Sequence, residues 1–485
     1  MPKFVFLWTD LFLFALLAGA ILYALRARRS VALRAAWGRV GATPSAMCAA
    51  VVLGAFVLVG LLDSVHYRPR LDSEPGKPVA YSPAIRSVLD DLLSHTRMGA
   101  AEATYSAPLA VRQFTKETQI IDGVPVRDFP RLKHAGTRLQ QESDRRSDIL
   151  RRLAIGLAWG ALASLLLAGI LTAMHRRGQG WTAAWRDWWL GREGRLPWRA
   201  LWLTASVLAL CAAAAVALGM EYHVLGTDRS GNDVLRQSLK GIRTALVIGT
   251  LTTLAMLPPA LLFGVSAGYF RGRVDDAIQY LYTTLTSIPG VLLIAACVLM
   301  MQVYIDNNPG LFPTVADRAD LRLFLLCLIL GFTGWAGLCR LLRAETLKLR
   351  ELEYVQAARA FGLGPWRIMA RHILPNVMHI VLISLVLEFS GLVLYEAVLS
   401  YLGIGVDPST PSFGTMIDAA RLEMSRDPMI WWNLLAAFAF LLALVLAANV
   451  FADAVQDAFD PRARRFRPVR TPARAARGGA GRGSA

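Results

Sequence analysis

Long apolar runs separated by short polar loops organise this chain. Nine runs read as candidate membrane spans, at about 4–25, 47–62, 153–174, 201–220, 245–270, 281–303, 323–342, 377–395 and 430–452. Most approach the roughly 20 residues that a helix rising 1.5 Å per residue needs to cross a bilayer core of about 30 Å. The second run is the shortest, and the ends of the eighth are the least sharply bounded. Pro258, Pro259 and Pro289 fall inside runs and predict kinks, which membrane helices tolerate when neighbours satisfy the freed backbone groups. Between the second and third runs, residues 63–152 are too polar for lipid and form an outward segment. In it, 109–114 and 120–126 have strand character, and Asp122-Gly123 suits a hairpin turn.

Composition agrees with a membrane protein: 55% of the 485 residues are hydrophobic, and the mean hydropathy is +0.43. The net charge of +17 would suggest nucleic acid on a soluble protein. Here the charge follows the loops. Arg26, Arg28, Arg29, Arg34 and Arg39 fill the first loop without an acid. Arginines recur after the third, fifth and seventh runs and along the tail from Pro461. These loops alternate correctly across nine spans, so the positive-inside bias places them in the cytoplasm. The N-terminus is then outside and the C-terminus inside. Residues 462–485, rich in Arg, Gly, Ala and Pro, read as a disordered tail that could touch anionic lipid.

Few residues carry chemistry. The five cysteines lie in or beside apolar runs and form no CxxC pair, which fits small buried side chains. The seven histidines lack the spacing of a metal site. No GxxxxGK[ST] loop occurs, so any ATP must be bound by another chain. Lys3 ahead of the first run allows a signal peptide, but the run is long and continues into a basic loop. Asp10 inside it has no role legible in the sequence. Glu388 lies within the eighth span and should face protein or an aqueous cavity, as a pathway contact or a helix–helix hydrogen bond. Glu396 is expected to reach water at the outer end. Asp228 and Asp233, before the fifth span, suit capping and loop order. Tryptophans between Trp181 and Trp202, and the pair Trp431 and Trp432, read as interfacial belts.

The stretch between the seventh and eighth spans differs from the other loops. Leu349, Leu352, Val355, Ala358 and Phe361 recur at threes, predicting an amphipathic helix over 348–361. Gly362 stands where a left-handed residue ends a helix. Gly364-Pro365 can start a second one, with Trp366, Met369, Ala370 and Ile373 as its apolar stripe. Pro375 either ends that run or marks entry into the next span. The result is a cytoplasmic helix–glycine–helix elbow. It could lie on lipid or insert into a partner, and periodicity does not choose between them.

This elbow resembles the coupling motif of importer-type ABC transporter permeases, in which Glu-Ala-Ala is followed by three residues and Gly. Gln356, Ala357, Ala358 and Gly362 occupy those positions, with Gln356 in place of the usual glutamate. The resemblance extends in order to the dipeptide and oligopeptide permease group. Gly226-Thr227-Asp228-Arg229-Ser230-Gly231-Asn232-Asp233 precedes the second core span, with Asn232 replacing a commoner arginine. Ser287-Ile288-Pro289-Gly290, Arg371-His372-Ile373-Leu374-Pro375-Asn376, Ser400-Tyr401-Leu402-Gly403-Ile404-Gly405-Val406 and Asp457-Ala458-Phe459-Asp460-Pro461-Arg462 follow.

The resemblance covers roughly 198–462 and is to the C-type subunit. It implies an all-α integral membrane protein with a six-helix ABC importer-type permease core over 198–461. About three additional N-terminal transmembrane helices lie before it, with 1–62 as N-terminal helices, 63–152 as a small extracytoplasmic segment and 153–197 as the third helix and its cytoplasmic loop. It further implies two ABC ATPase subunits carrying ATP and magnesium, a second related permease and an extracytoplasmic solute-binding protein. This chain would bind no cofactor and catalyse no reaction. Coupling to the ATPases would fall to the helices at about 350–375, with Glu353, Gln356, Ala357, Ala358, Gly362, Gly364, Pro365 and Pro375. The outer motif would comprise Gly226, Thr227, Asp228, Gly231 and Asp233, and Glu388 and Pro289 would serve the pathway or helix packing. The substrate would be a short peptide or a related small solute. An ion-driven secondary transporter and a membrane scaffold acting through 63–152 are the competing functions.

Overall fold

The computed structural model describes residues 3–71, 81–82, 85–121, 124–139, 141–176, 180–190, 196–311 and 314–459. Chain order begins with a short strand β1 (Lys3–Val5), then helices α1 (Trp8–Arg29), α2 (Val31–Ala42) and α3 (Pro44–Ser64). The segment read as outward from the sequence holds β2 (His66–Arg68), β3 (Arg86–Ser87), α4 (Val88–Ser94), β4 (Glu117–Ile121) and β5 (Val124–Asp128). Helices α5 (Arg145–His175), α6 (Trp181–Trp189), α7 (Trp198–Gly219), α8 (Val234–Phe270), α9 (Gly272–Ser287) and α10 (Gly290–Asn307) follow. The last part contains α11 (Val315–Gly334), α12 (Ala336–Arg350), α13 (Glu353–Ala360), α14 (Pro365–Ile368), α15 (Leu374–Tyr401), α16 (Phe413–Met424) and α17 (Trp432–Phe459). Among the described residues, eight helices are long and apolar enough to cross a membrane, or nine if α11 and α12 form one bent span.

Helix α8 is the hub. It packs on α11, α12, α15, α17 and α3. Helix α3 also packs on α17 and α7, and α1 touches α11 and α8. The N-terminal helices therefore join the bundle directly, and packing does not divide at residue 197. Helices α5 and α7 form a tight pair, because Gly156 and Gly160 let α7 come close: a Cβ at Gly156 would lie 2.8 Å from Ala213 O, and one at Gly160 2.8 Å from Leu210 Cα. Small residues four apart are the usual way to bring two membrane helices into contact.

Alternate loops meet at opposite ends of the bundle. At one end, β1 pairs antiparallel with β2 and β2 with β3, Arg322 pairs with Asp407 at 2.6 Å, and Trp432 Nε1 donates to Thr227 O at 3.0 Å. At the other end, Arg39 donates to Ala458 O and Arg271 pairs with Glu351 at 2.5 Å.

Several apolar runs and the elements they become have different bounds. The first run starts too early, since Phe4 and Val5 pair with Tyr67 and His66 in the sheet and α1 begins at Trp8. The run at 281–303 straddles a break. The amphipathic α9 ends at Ser287, Ile288 is extended, and Pro289 caps α10. Pro289 is thus a start and not a kink, because a residue before proline is pushed out of the helical region. The run at 323–342 straddles the 40° bend between α11 and α12. Pro258 and Pro259 sit inside α8 without ending it. The strand expected at 109–114 is turn and isolated bridge instead, with Leu109 at a φ of 56° just after Pro108. Strands β4 and β5 pair in the register of a hairpin, from Glu117↔Asp128 to Ile121↔Val124. The Asp122-Gly123 turn and the basic tail lie outside the described residues.

Trp188 does not lie in a belt. It is 1% exposed, donates from Nε1 to Thr172 Oγ1 at 3.0 Å, and packs edge to face with Trp185, Trp189 and Trp202. These rings join α6 to the α5–α7 pair, while Trp181 and Trp185 remain exposed.

Candidate functional site

The elbow is built on a rigid foundation. Helix α12 lies against α8 because Gly264 and Gly268 have no side chain: a Cβ at Gly264 would stand 2.8 Å from Cys339 O, and one at Gly268 would stand 2.6 Å from Thr346 Cβ. Arg343 on α12 makes a two-pronged pair with Asp275 on α9, at 2.5 and 2.6 Å. Such forked pairs fix orientation as well as proximity. Arg350 then donates to Tyr269 O at 2.6 Å, tying the end of α12 to the end of α8.

From this base the chain breaks at Glu351-Leu352 and restarts as α13. Val355 and Ala358 are buried and join one apolar cluster with Leu342, Ile368, Met369 and Ile373. Two members of the predicted stripe do not turn inward, since Leu352 is 45% and Phe361 87% exposed, while Leu349 packs against the cluster. A three-residue step drifts around a helix of 3.6 residues per turn, and the break at Leu352 resets the phase. Gly362 has a φ of +78°, the left-handed conformation that glycine adopts without steric cost. Its N–H donates to Arg359 O at 3.0 Å, and that of Leu363 to Ala358 O at 3.2 Å, which caps α13.

Gly364 is the extended cap of α14, and Pro365 occupies its first turn. Pro375 does not stop the second arm. From Pro365 to Tyr401 the chain is one helical run, with a π-turn at Met369–Ile373 immediately before Leu374 and Pro375. A proline ring crowds the carbonyl four residues back, and one wide turn relieves it. Met369 and Ile373 are buried as the stripe requires, but Trp366 is 63% exposed and leans edge-on against Phe270.

The candidate coupling residues therefore lie on one elbow. Ala358 is buried, whereas Glu353, Gln356, Ala357, Gly362, Gly364, Pro365 and Pro375 are exposed. Gln356 donates from Nε2 to Glu351 O at 3.1 Å. A groove of about 480 Å³ borders α13, lined by Tyr269, Arg350, Glu351, Gln356 and Arg359 among others.

The outer motif stands at the opposite end of α8, about 55 Å away along a helix of 37 residues at 1.5 Å per residue. Gly226 and Gly231 have φ of 75° and 76°. Both also leave room for the outward segment: a Cβ at Gly231 would lie 1.8 Å from Glu102 O, and one at Gly226 2.4 Å from Ser106 O. Thr227 is buried, accepts from Ser106 N at 2.7 Å and donates to Thr104 O at 2.9 Å. Asp228 Oδ1 accepts from Ser230 N and Asn232 N, each at 2.8 Å, and Asp228 Oδ2 accepts from Gln237. Asp233 caps α8 by accepting from Arg236 N at 3.0 Å and also meets His223 Nδ1 at 2.7 Å.

His223 is fully buried between two carboxylates. Asp233 holds Nδ1, and Glu102 Oε1 stands 3.5 Å from Nε2, an ion-pair distance. Burial alone would depress this imidazole, but Asp233 and Glu102 outweigh it and push it up to about 9. Burial raises Glu102, and His223 with the N–H groups of His134 and Lys133 brings it down to about 2. The outward segment is thus clamped to the loop before α8.

A second cluster explains Asp10. It is fully buried and meets Arg243 at 2.5 Å and His66 at 2.7 Å, while Arg243 also reaches Asp320 at 3.6 Å. Sequence reasoning missed this cluster, and the signal was Arg243 itself, a charge near the start of an apolar run. It also missed Gly264-x-x-x-Gly268, which was legible as a small-residue spacing. Glu396 does not reach water; it is 2% exposed and accepts from Ser400 Oγ at 2.7 Å and Ser412 Oγ at 3.0 Å. Glu388 is half-buried on α15, with no side-chain partner among the described residues. Pro289 stands at the start of α10. No group of three or more His, Cys, Asp or Glu among the described residues could hold a metal ion.

A multi-pass helical bundle carrying a protein-anchored elbow is the architecture of a membrane permease, and the comparisons give its family. The model described as "Binding-protein-dependent transport system inner membrane component" matches residues 260–465. The chain is 32% identical over 245 residues to the oligopeptide transport system permease protein OppC of Mycobacterium tuberculosis, covering 50% of this chain and 78% of that protein. It is 33% identical over 244 residues to the di/tripeptide transport system permease protein DppC of Pseudomonas aeruginosa, covering 50% and 74%. It is 36% identical over 241 residues to the peptidoglycan transport system permease protein YejE of Agrobacterium fabrum, covering 49% and 57%. The chain belongs to the binding-protein-dependent ABC permease family, in its dipeptide and oligopeptide group. It is a multi-pass inner-membrane transport subunit.

Proposed function

We propose that this chain forms half of the membrane pathway of an ATP-driven importer for short peptides, and that the elbow at 353–375 is the seat of separate ATPase subunits. The relatives named for oligopeptide, di/tripeptide and peptidoglycan transport support peptides or peptide-bearing fragments as cargo. In this reading residues 198–461 are the transport core, and 1–197 add three spans and the outward segment. The basic loops and the elbow face the cytoplasm, and residues 63–152 face outward. A second related permease completes the pathway, a solute-binding protein delivers cargo from outside, and ATP with magnesium stays on the ATPases. Glu388 and Pro289 belong to the pathway or its packing.

The carrying observation is the two-sidedness of the elbow. Its inner face, Val355, Ala358, Ile368 and Met369, is buried against the bundle. Its outer tip presents Phe361 at 87% exposure beside Gln356, Arg359 and Gly362. A tip fixed to α8, α9 and α12 can transmit a push, whereas a free loop would dissipate it. ATP-driven closure below would then shift the bundle between two states.

Gly362→Leu tests the seat. A Cβ at Gly362 meets nothing within 4 Å, so the change acts through backbone strain of roughly 1–2 kcal/mol and through the altered tip. The expected result is a folded chain with weakened ATPase retention and transport uncoupled from ATP hydrolysis. Unchanged retention and coupling would remove the elbow from this role.

A further inference from the structure

We propose that the groove between α1 and α2 is a binding site for an anionic phospholipid. The groove encloses about 580 Å³, and its walls include Tyr23, Ala24, Ala27 and Trp37. Arg28 and Arg34 line the same groove, are exposed, and have no carboxylate or other side-chain partner among the described residues. An apolar trough with two unpaired guanidinium groups matches one ligand chemistry, an acyl chain joined to a phosphate. No acid occurs between Arg26 and Arg39 to compete for it.

The walls are fixed by contacts that do not involve the groove's charge. Trp37 Nε1 donates to Tyr23 OH at 3.2 Å, and the Trp37 ring meets Phe459 edge to face at 5.6 Å. Arg39, two residues further along α2, donates to Ala458 O. Through Phe459 and Ala458 the site adjoins the end of α17, which packs on α8 and α15. A bound lipid would brace that end of the core helix. The occupant is a membrane lipid and not free phosphate, because the apolar walls have no counterpart in inorganic phosphate.

The test uses the full chain in its complex, purified in mild detergent and examined by native mass spectrometry during titration with phosphatidylglycerol and with phosphatidylcholine. The wild type should retain phosphatidylglycerol in preference to phosphatidylcholine, and inorganic phosphate should not displace it. R28Q/R34Q should lose roughly 30-fold in phosphatidylglycerol affinity, from about 1 kcal/mol for each basic residue near an anionic head group. R28K/R34K should keep most of it. Arg29→Gln removes an exposed charge that does not line the groove and should leave the affinity unchanged. Equal losses in R29Q and R28Q/R34Q, or displacement by phosphate, would overturn the site. These readouts are independent of which membrane face carries the groove and of the cargo.

Discussion

Arg243 shows how one side chain decides whether an apolar run can carry a charge. Its guanidinium meets Asp10 at 2.5 Å and approaches Asp320 at 3.6 Å, so three helices converge on it. Removing one member of a buried ion cluster leaves charge uncompensated and costs about 3–5 kcal/mol. Arg243→Met should therefore lower thermal stability in detergent strongly, and adding Asp10→Leu should recover part of the loss. A double variant no better than the single one would mean the cluster is not coupled. The glycines of α8 act by absence. Gly268→Leu must displace Thr346, whose Cβ stands 2.6 Å from the added atom, and overpacking of this kind costs roughly 1–3 kcal/mol. Gly337→Leu, with open space around it, should stay within about 0.5 kcal/mol of wild type. Equal melting temperatures for the two variants would contradict the close packing of α8 on α12.

At the scale of elements, existence was more legible than bounds. Apolar runs located the membrane helices because a bilayer requires continuous hydrophobic length. They did not reveal that 281–303 and 323–342 cross breaks, because a break leaves hydrophobicity unchanged. Pro289 was a visible cue, but a proline within an apolar run reads equally as a kink or a start. The elbow was legible as helix, glycine, helix from Gly362 and Gly364-Pro365. Which apolar residues turn inward was not: Leu352 and Phe361 are exposed because neighbouring helices, and not periodicity, choose the buried face. The outward segment was the least legible, since its anchors are long-range. Glu102 and His223 are 121 positions apart, and only the fold joins them.

That anchor titrates in both directions. His223 is raised from 6.5 to about 9, so its contribution is full below about 6.5 and is lost as pH rises through about 9. Glu102 is lowered from 4.5 to about 2, so its contribution is present above about 4.5 and is lost as pH falls through about 2. The clamp should be strongest between these limits. Hydrogen exchange at 101–106 and 132–136 should speed up between pH 8 and pH 10 beyond the intrinsic chemical increase, and His223→Gln should abolish that excess. Protection that follows intrinsic chemistry alone across this range would show that His223 does not hold the segment.

At the scale of the whole molecule, the N-terminal helices are structural partners of the core. Asp10 on α1 and His66 beyond α3 complete an ion cluster with α8 and α11, and α3 packs on α8 and α17. The resemblance was confined to roughly 198–462 because its motifs lie there. Nothing in a linear pattern reports that α3 packs on α8 and α17. The bundle thus joins one end, where loops and the segment at 63–152 interlock, to an elbow about 55 Å away through one continuous helix. That geometry suits a machine whose cargo is handed over at one end and whose energy enters at the other.

The most direct measurement is mass spectrometry of what co-purifies with the chain from its own membrane, for the wild type and for Phe361→Arg. The exposed Phe361 side chain can be changed without disturbing the bundle. The account predicts that the wild type brings a P-loop ATPase and a second related permease, and that F361R keeps the permease but loses most of the ATPase. An F361R preparation that retains the ATPase at the wild-type level and still transports would contradict the assignment of the elbow as the seat of ATP-driven force.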